Sequence, residues 1–113
     1  MRITRQKAMR IWERHYGNSE YAEDFHGYFM CKSGYGNPEF YIWENGKKLY
    51  CGWNIHHILP IALGGTNDIS NLICTNIATN EGAADRTTYW IDDNLYQVRR
   101  GCSGYEIVKL KEQ

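Results

Sequence analysis

The sequence predicts an α+β fold, an N-terminal helix and flanking β-hairpins around a strand–loop–strand–helix centre, and three observations carry that expectation. Apolar residues recur at helical spacing near the N-terminus. An Asn-Gly pair separates two aromatic-rich runs, a hairpin signal. The adjacent histidines His56 and His57 end a further run, and a long glycine-containing loop and a second helical stretch follow them.

Taken in order, residues 4–16 are the first expected helix. Ala8, Ile11, Trp12, His15 and Tyr16 recur at helical spacing, Thr4 suits the N-cap and Gly17 the stop. Ser19 is expected to open a second short helix through Asp24. Residues 33–38, Ser-Gly-Tyr-Gly-Asn-Pro, read as loop. Residues 40–43 and 48–53 flank Glu44-Asn45-Gly46-Lys47 as a hairpin, whose second run continues into Asn54-Ile55-His56-His57. Residues 60–70 read as a long ordered loop that needs a side chain to pin it. Residues 72–75 are the next strand, and residues 77 to about 87 a helix carrying Asn80, with modest propensity because of Asn80 and Gly82. Residues 95–100 and 105–110 close the chain as a hairpin across Gly101-Cys102-Ser103-Gly104.

The 113 residues argue for one domain with a modest core, and an aromatic content of 14% implies that large side chains fill it. Trp53 and Trp90 are read as core residues, and His15 and His26 as structural or exposed. No apolar run is long enough to span a bilayer, and the basic N-terminal run lacks a signal peptide's apolar stretch, so a soluble cytoplasmic protein is expected. Lys and Arg balance Asp and Glu at 13 each, but unevenly along the chain. Residues 1–16 carry Arg2, Arg5, Lys7, Arg10 and Arg14 against Glu13, a local net of +4, whereas residues 20–44 have a local net of −4. The basic stretch is either a solvated helix face or a surface that contacts phosphates through residues such as Arg10 and Arg14. Cys31, Cys51, Cys74 and Cys102 form no CxxC knuckle, so reduced thiols are expected, with a zinc site of four dispersed cysteines as the alternative.

The central third carries the chemistry. It reads Trp53-Asn54-Ile55-His56-His57-Ile58-Leu59-Pro60, then Gly64-Gly65-Thr66-Asn67-Asp68, Ser70-Asn71-Leu72, Asn80 and Asp85-Arg86. Adjacent histidines on a strand point to opposite faces, so one can bind a metal while the other activates water. Residues 53–86 resemble the HNH endonucleases, the ββα-metal or His-Me finger family. The resemblance implies a single HNH domain over residues 1–113, built on a ββα-metal finger at residues 53–87.

It further implies hydrolysis of DNA to 5′-phosphate and 3′-hydroxyl ends, with one divalent ion held by His56 and Asn80 and with His57 as general base. Asn71 would orient His57 through its carbonyl and tie the Gly64-Gly65 loop through its amide. Arg86 would contact the phosphate or pair with Asp85. Short stand-alone chains of this family are typical of bacteria and their phages. Two departures matter. His56 stands where many relatives have Asp, and Ala84 where the colicin-type DNases have a further histidine. An imidazole and an amide are expected to weaken Mg²⁺ binding and to favour Mn²⁺, Co²⁺, Ni²⁺ or Zn²⁺. The thin ligand set also leaves room for a catalytically weak, HNH-like module that binds nucleic acid or protein.

Overall fold

A computed structural model describes residues 3–112; Arg2 of the basic run lies outside them. Helix α1 (Arg5–Tyr16) begins where Thr4 accepts a hydrogen bond from the Lys7 N–H and stops at Gly17. Strands β1 (Tyr21–Glu23) and β2 (Phe29–Cys31) pair antiparallel, as do β3 (Tyr41–Glu44) with β4 (Lys47–Tyr50) and β5 (Trp53–His57) with β6 (Leu72–Asn76). Helix α2 (Ile77–Ala83) follows β6 directly, and β7 (Thr88–Ile91), β8 (Asn94–Gly101) and β9 (Gly104–Glu112) form a three-stranded meander.

This architecture corrects the expected class. Strands make up 42% of the structure and helices only 25%, and the described residues form four small antiparallel sheets with two α-helices, so the α+β expectation of a ββα-metal finger with an N-terminal helix and flanking hairpins does not describe it. Three local errors explain the excess of strand. The expected helix at 19–24 is β1: the Ser19 hydroxyl donates to the Tyr21 carbonyl and caps nothing. The expected helix at 77–87 stops at Ala83, because Ala84 takes a φ of 50° that ends the helical path. Residues 88–91, assigned to no element, are β7, with Tyr89 and Ile91 turned into the core. The run from 48 to 57 is likewise two strands, broken at Cys51-Gly52, where a side chain on Gly52 would collide with the Asn37 carbonyl.

Two packed clusters hold the molecule. Trp12 of α1 and Trp53 of β5, both fully buried with ring centroids 4.9 Å apart, centre the first, together with Ile11, Met30, Leu72 and Cys74. Each indole N–H has a carbonyl partner, Ser19 for Trp12 and Lys32 for Trp53, so burying these rings leaves no donor unpaired. Ala83, Tyr89, Ile91 and Tyr96 form the second cluster. Trp90 departs from its expected core role: it alternates outward from Tyr89 and Ile91 and is 44% exposed.

Polar groups tie the small sheets together. The buried Asp24 carboxylate accepts from the N–H groups of His26, Tyr28 and Asn76. Asn76 caps α2 through Ala78 N–H and donates to the Phe29 and Tyr50 carbonyls. His26 bridges Asp92 and the Tyr96 hydroxyl, and Tyr28 also donates to Asp92. The bond to Asp92 is the main cause that raises the Tyr28 phenol to about 12. The bonds from Tyr28 and then His26 hold the Asp92 carboxyl below its ordinary value. A depressed carboxyl stabilises the fold above its unfolded-state pKa of about 4, and that contribution disappears as pH falls through the folded value. Asp92→Asn is therefore expected to reduce stability at neutral pH and to flatten the acid side of a pH–stability curve, measured by thermal melts. An unchanged acid limb would remove Asp92 as its source. No helix among the described residues is long and apolar enough to cross a membrane.

Candidate functional site

The β5–β6 register pairs His56 with Ile73 and His57 with Leu72, which sets the two histidines at the end of the ladder that the 58–71 loop closes. His56 is buried, 5% exposed, and its Nδ1 lies 2.8 Å from Asn80 Oδ1 on α2. His57 is half-buried, and its Nε2–H donates to Asn67 Oδ1 at 2.7 Å. That bond commits Nε2 as donor and leaves Nδ1 as acceptor.

Two cavities meet here. One of about 630 Å³ is lined by Thr4, Arg5, Tyr35, His57 and Asn80 among others. The second, about 420 Å³, is lined by His56, His57, Pro60, Asn80 and Asp85 among others. His57 and Asn80 thus border both. Burial is the largest influence on His56 and lowers its pKa; His57 adds to the shift, while the bond to Asn80 and the Asp85 carboxylate oppose it. The net effect keeps His56 neutral, the state a metal ligand needs.

The loop between β5 and β6 is shaped by Asn71, 5% exposed. Its carbonyl accepts from Leu59 N–H and its amide donates to the Leu59 and Thr66 carbonyls. The expected bond from His57 to Asn71 is therefore corrected: the Asn71 oxygen is taken by Leu59, and Asn67 holds the imidazole instead. The turn also needs Gly65, because a side chain there would run into the Leu59 carbonyl, 1.8 Å from the Cβ position. Asn71→Ala strips a buried cluster of three bonds and is expected to cost about 2–4 kcal/mol of unfolding free energy. It is also expected to speed limited proteolysis within residues 60–66. A loop as resistant as the native one would show that Asn71 does not pin it.

His57, His56 and Asn80 are thus brought together, with Asn71 bonded to Leu59 and Thr66 of the adjoining loop. The basic candidates are not. Arg86 donates to the Gly82 carbonyl at the end of α2, and among the described residues no ion pair joins it to Asp85. Arg10 is exposed on α1, and Arg14 lines a separate cavity with Ile58, Leu72 and Glu106. The cations near His57 are instead Arg5, which lines the larger cavity, and Lys7, which donates to the Asn67 carbonyl. The basic N-terminal run signals both, but composition alone gives no reason to rank Arg5 above Arg10 or Arg14. Asn67 sits inside the glycine-containing segment, where its side chain could have been considered beside that of Asn71.

Whether these residues suit a divalent ion is decided by geometry. Two ligand atoms each about 2.1 Å from one ion and at right angles lie about 3 Å apart, so the 2.8 Å between His56 Nδ1 and Asn80 Oδ1 fits an adjacent ligand pair. In the ion-free structure Nδ1–H donates to the Asn80 oxygen, so an ion would bind there only with the imidazole proton moved to Nε2, which frees the Nδ1 lone pair. No group of three or more His, Cys, Asp or Glu that could hold a metal occurs among the described residues. The four cysteines form no such group among the described residues: Cys31, Cys51 and Cys74 are buried and Cys102 is exposed. Compared with family models, curated proteins and solved structures, the chain matches none of them.

Proposed function

We propose that the chain is a divalent-metal-dependent endonuclease of the HNH type that hydrolyses DNA phosphodiesters. The observation that supports this most is the convergence of a tautomer-fixed imidazole, His57, and the ligand-spaced pair His56 and Asn80 on the same cavity wall. His57 Nδ1 takes a proton from water, the oxygen attacks phosphorus, and the 3′ oxygen leaves with a proton from solvent. Bound at His56 and Asn80, a divalent cation would neutralise charge on the phosphate and favour departure of the 3′ oxygen. Asn67 keeps the His57 lone pair on Nδ1, and Arg5 supplies positive charge beside the cavity.

Conversion of supercoiled plasmid in Mg²⁺, Mn²⁺, Ni²⁺, Zn²⁺ or EDTA tests the reading. Metal-dependent nicking that disappears in His57→Ala supports it. Silence with every ion, or equal cutting by both chains, removes it. The small donor set favours a second reading, a catalytically weak module that binds nucleic acid or a protein without cutting. Metal-independent DNA binding with no product would support that one.

A further inference from the structure

The hairpin β3–β4 shows an unusual outer face. Its register pairs Tyr41 with Tyr50 and Trp43 with Lys48, and strand alternation puts these four side chains on one side. Ile42 and Leu49 turn the other way and are half-buried. Trp43 is 65% exposed, Tyr50 49% and Tyr41 42%. The Tyr41 ring meets Trp43 and Tyr50 edge-on, at 5.9 and 6.0 Å between centroids, so the three rings form one continuous patch. Lys48 Nζ lies 4.4 Å from the Tyr41 centroid and 5.8 Å from that of Tyr50. Glu44 and Lys47 alternate to the opposite side, so no carboxylate of the hairpin shares this face. The turn Asn45-Gly46 has positive φ at both residues, the geometry of a tight, twist-matched hairpin, which sets the strand register that puts the rings on one side.

A cation set among exposed rings restricts what can cover them. An apolar protein surface would have to bury Lys48 without a counter-charge, and lysine is depleted from the cores of protein interfaces for that reason. A single-stranded nucleic acid brings flat base faces for the rings and phosphates for the ammonium together. A duplex hides its base faces inside its own stack. We propose that this face is a stacking platform for unpaired nucleotides, in which Trp43, Tyr41 and Tyr50 take bases and Lys48 a backbone phosphate. The inference rests on the nucleic-acid reading above and deepens it: the favoured substrate contains single-stranded or frayed segments.

The test is fluorescence anisotropy of the native chain with a labelled single-stranded oligonucleotide of mixed sequence, in EDTA. Trp43→Ala is expected to weaken binding about tenfold, and Trp43→Phe to recover most of the loss by restoring a ring. Lys48→Ala should reduce the salt dependence by about one phosphate contact. Trp90→Ala, exposed on a different sheet, should bind as the native chain does. Equal affinity of Trp43→Ala and native chain overturns the proposal. So does absence of binding, preference for the matching duplex, or self-association of the chain that Trp43→Ala abolishes. Binding is read without cation and without cutting, so the two readings fail separately. A chain that never nicks but binds through Trp43 keeps the platform and drops the nuclease; a chain that nicks while Trp43→Ala binds normally does the reverse.

Discussion

His57→Ala is expected to slow plasmid nicking by about a hundred- to ten-thousandfold, the range general-base catalysis supplies. The size of the effect depends on one lone pair. His57 Nε2 is committed to Asn67, so only Nδ1 can accept the proton of an attacking water. Asn67→Ala leaves the imidazole in place but lets its tautomer and orientation wander. Its expected loss is smaller, about ten- to a hundredfold, as for other groups that orient a functional histidine. The order of the two variants is the informative part. If Asn67→Ala were as damaging as His57→Ala while the fold stayed intact, Asn67 would itself touch substrate. If neither slowed the reaction, the proton would go elsewhere.

The second large effect concerns stability. Asp24→Ala removes an acceptor that satisfies three backbone N–H groups from two parts of the chain, the 26–28 turn and the start of α2. Orphaned buried donors and the loss of charge-assisted bonds together are expected to cost about 3–5 kcal/mol. Set against the 5–15 kcal/mol typical of a whole domain, that is a large share, equivalent to a fall in Tm on the order of 15–25 °C. Asp24→Asn keeps one oxygen as an acceptor and should fall between the two. A thermal melt of Asp24→Ala within a degree or two of the native chain would mean that water or another side chain takes over all three donors.

Some of this structure could be read from the residues and some could not. Helix α1 was visible in Thr4, Gly17 and the spacing of Ala8, Ile11 and Trp12, and the β3–β4 turn in Asn45-Gly46, because these signals are local. The fold class was not, because strands as short as β1 and β7 carry too little periodicity to be seen before they pair with the next strand. β1 depends on pairing Tyr21 with Cys31, and α2 ends early where Ala84 takes a positive φ that no local residue signal announces. The site divides the same way. His56 and Asn80, chosen together from their resemblance to HNH ligands, do meet. The partner of His57 was misassigned because the path of residues 60–70 follows from where Asn71 spends its own hydrogen bonds. The basic candidates failed for lack of direction: five cations on one run say nothing about which end of α1 faces the cavity.

The two-cluster core gives the His56–Asn80 contact a mechanical meaning. His56 belongs to the strand that carries Trp53, the centre of one cluster, whereas Asn80 rides on the helix whose Ala83 packs into the other. Two units with separate interiors can open separately, each with its own local free energy of unfolding. Anything that grips both residues at once acts as a staple across that seam and merges two unfolding events into one. Amide hydrogen exchange in β7 and β8, far from His56 along the chain, would then slow when an ion binds. The affinity of an ion held by His56 and Asn80 would in that sense also measure how firmly the two halves are joined.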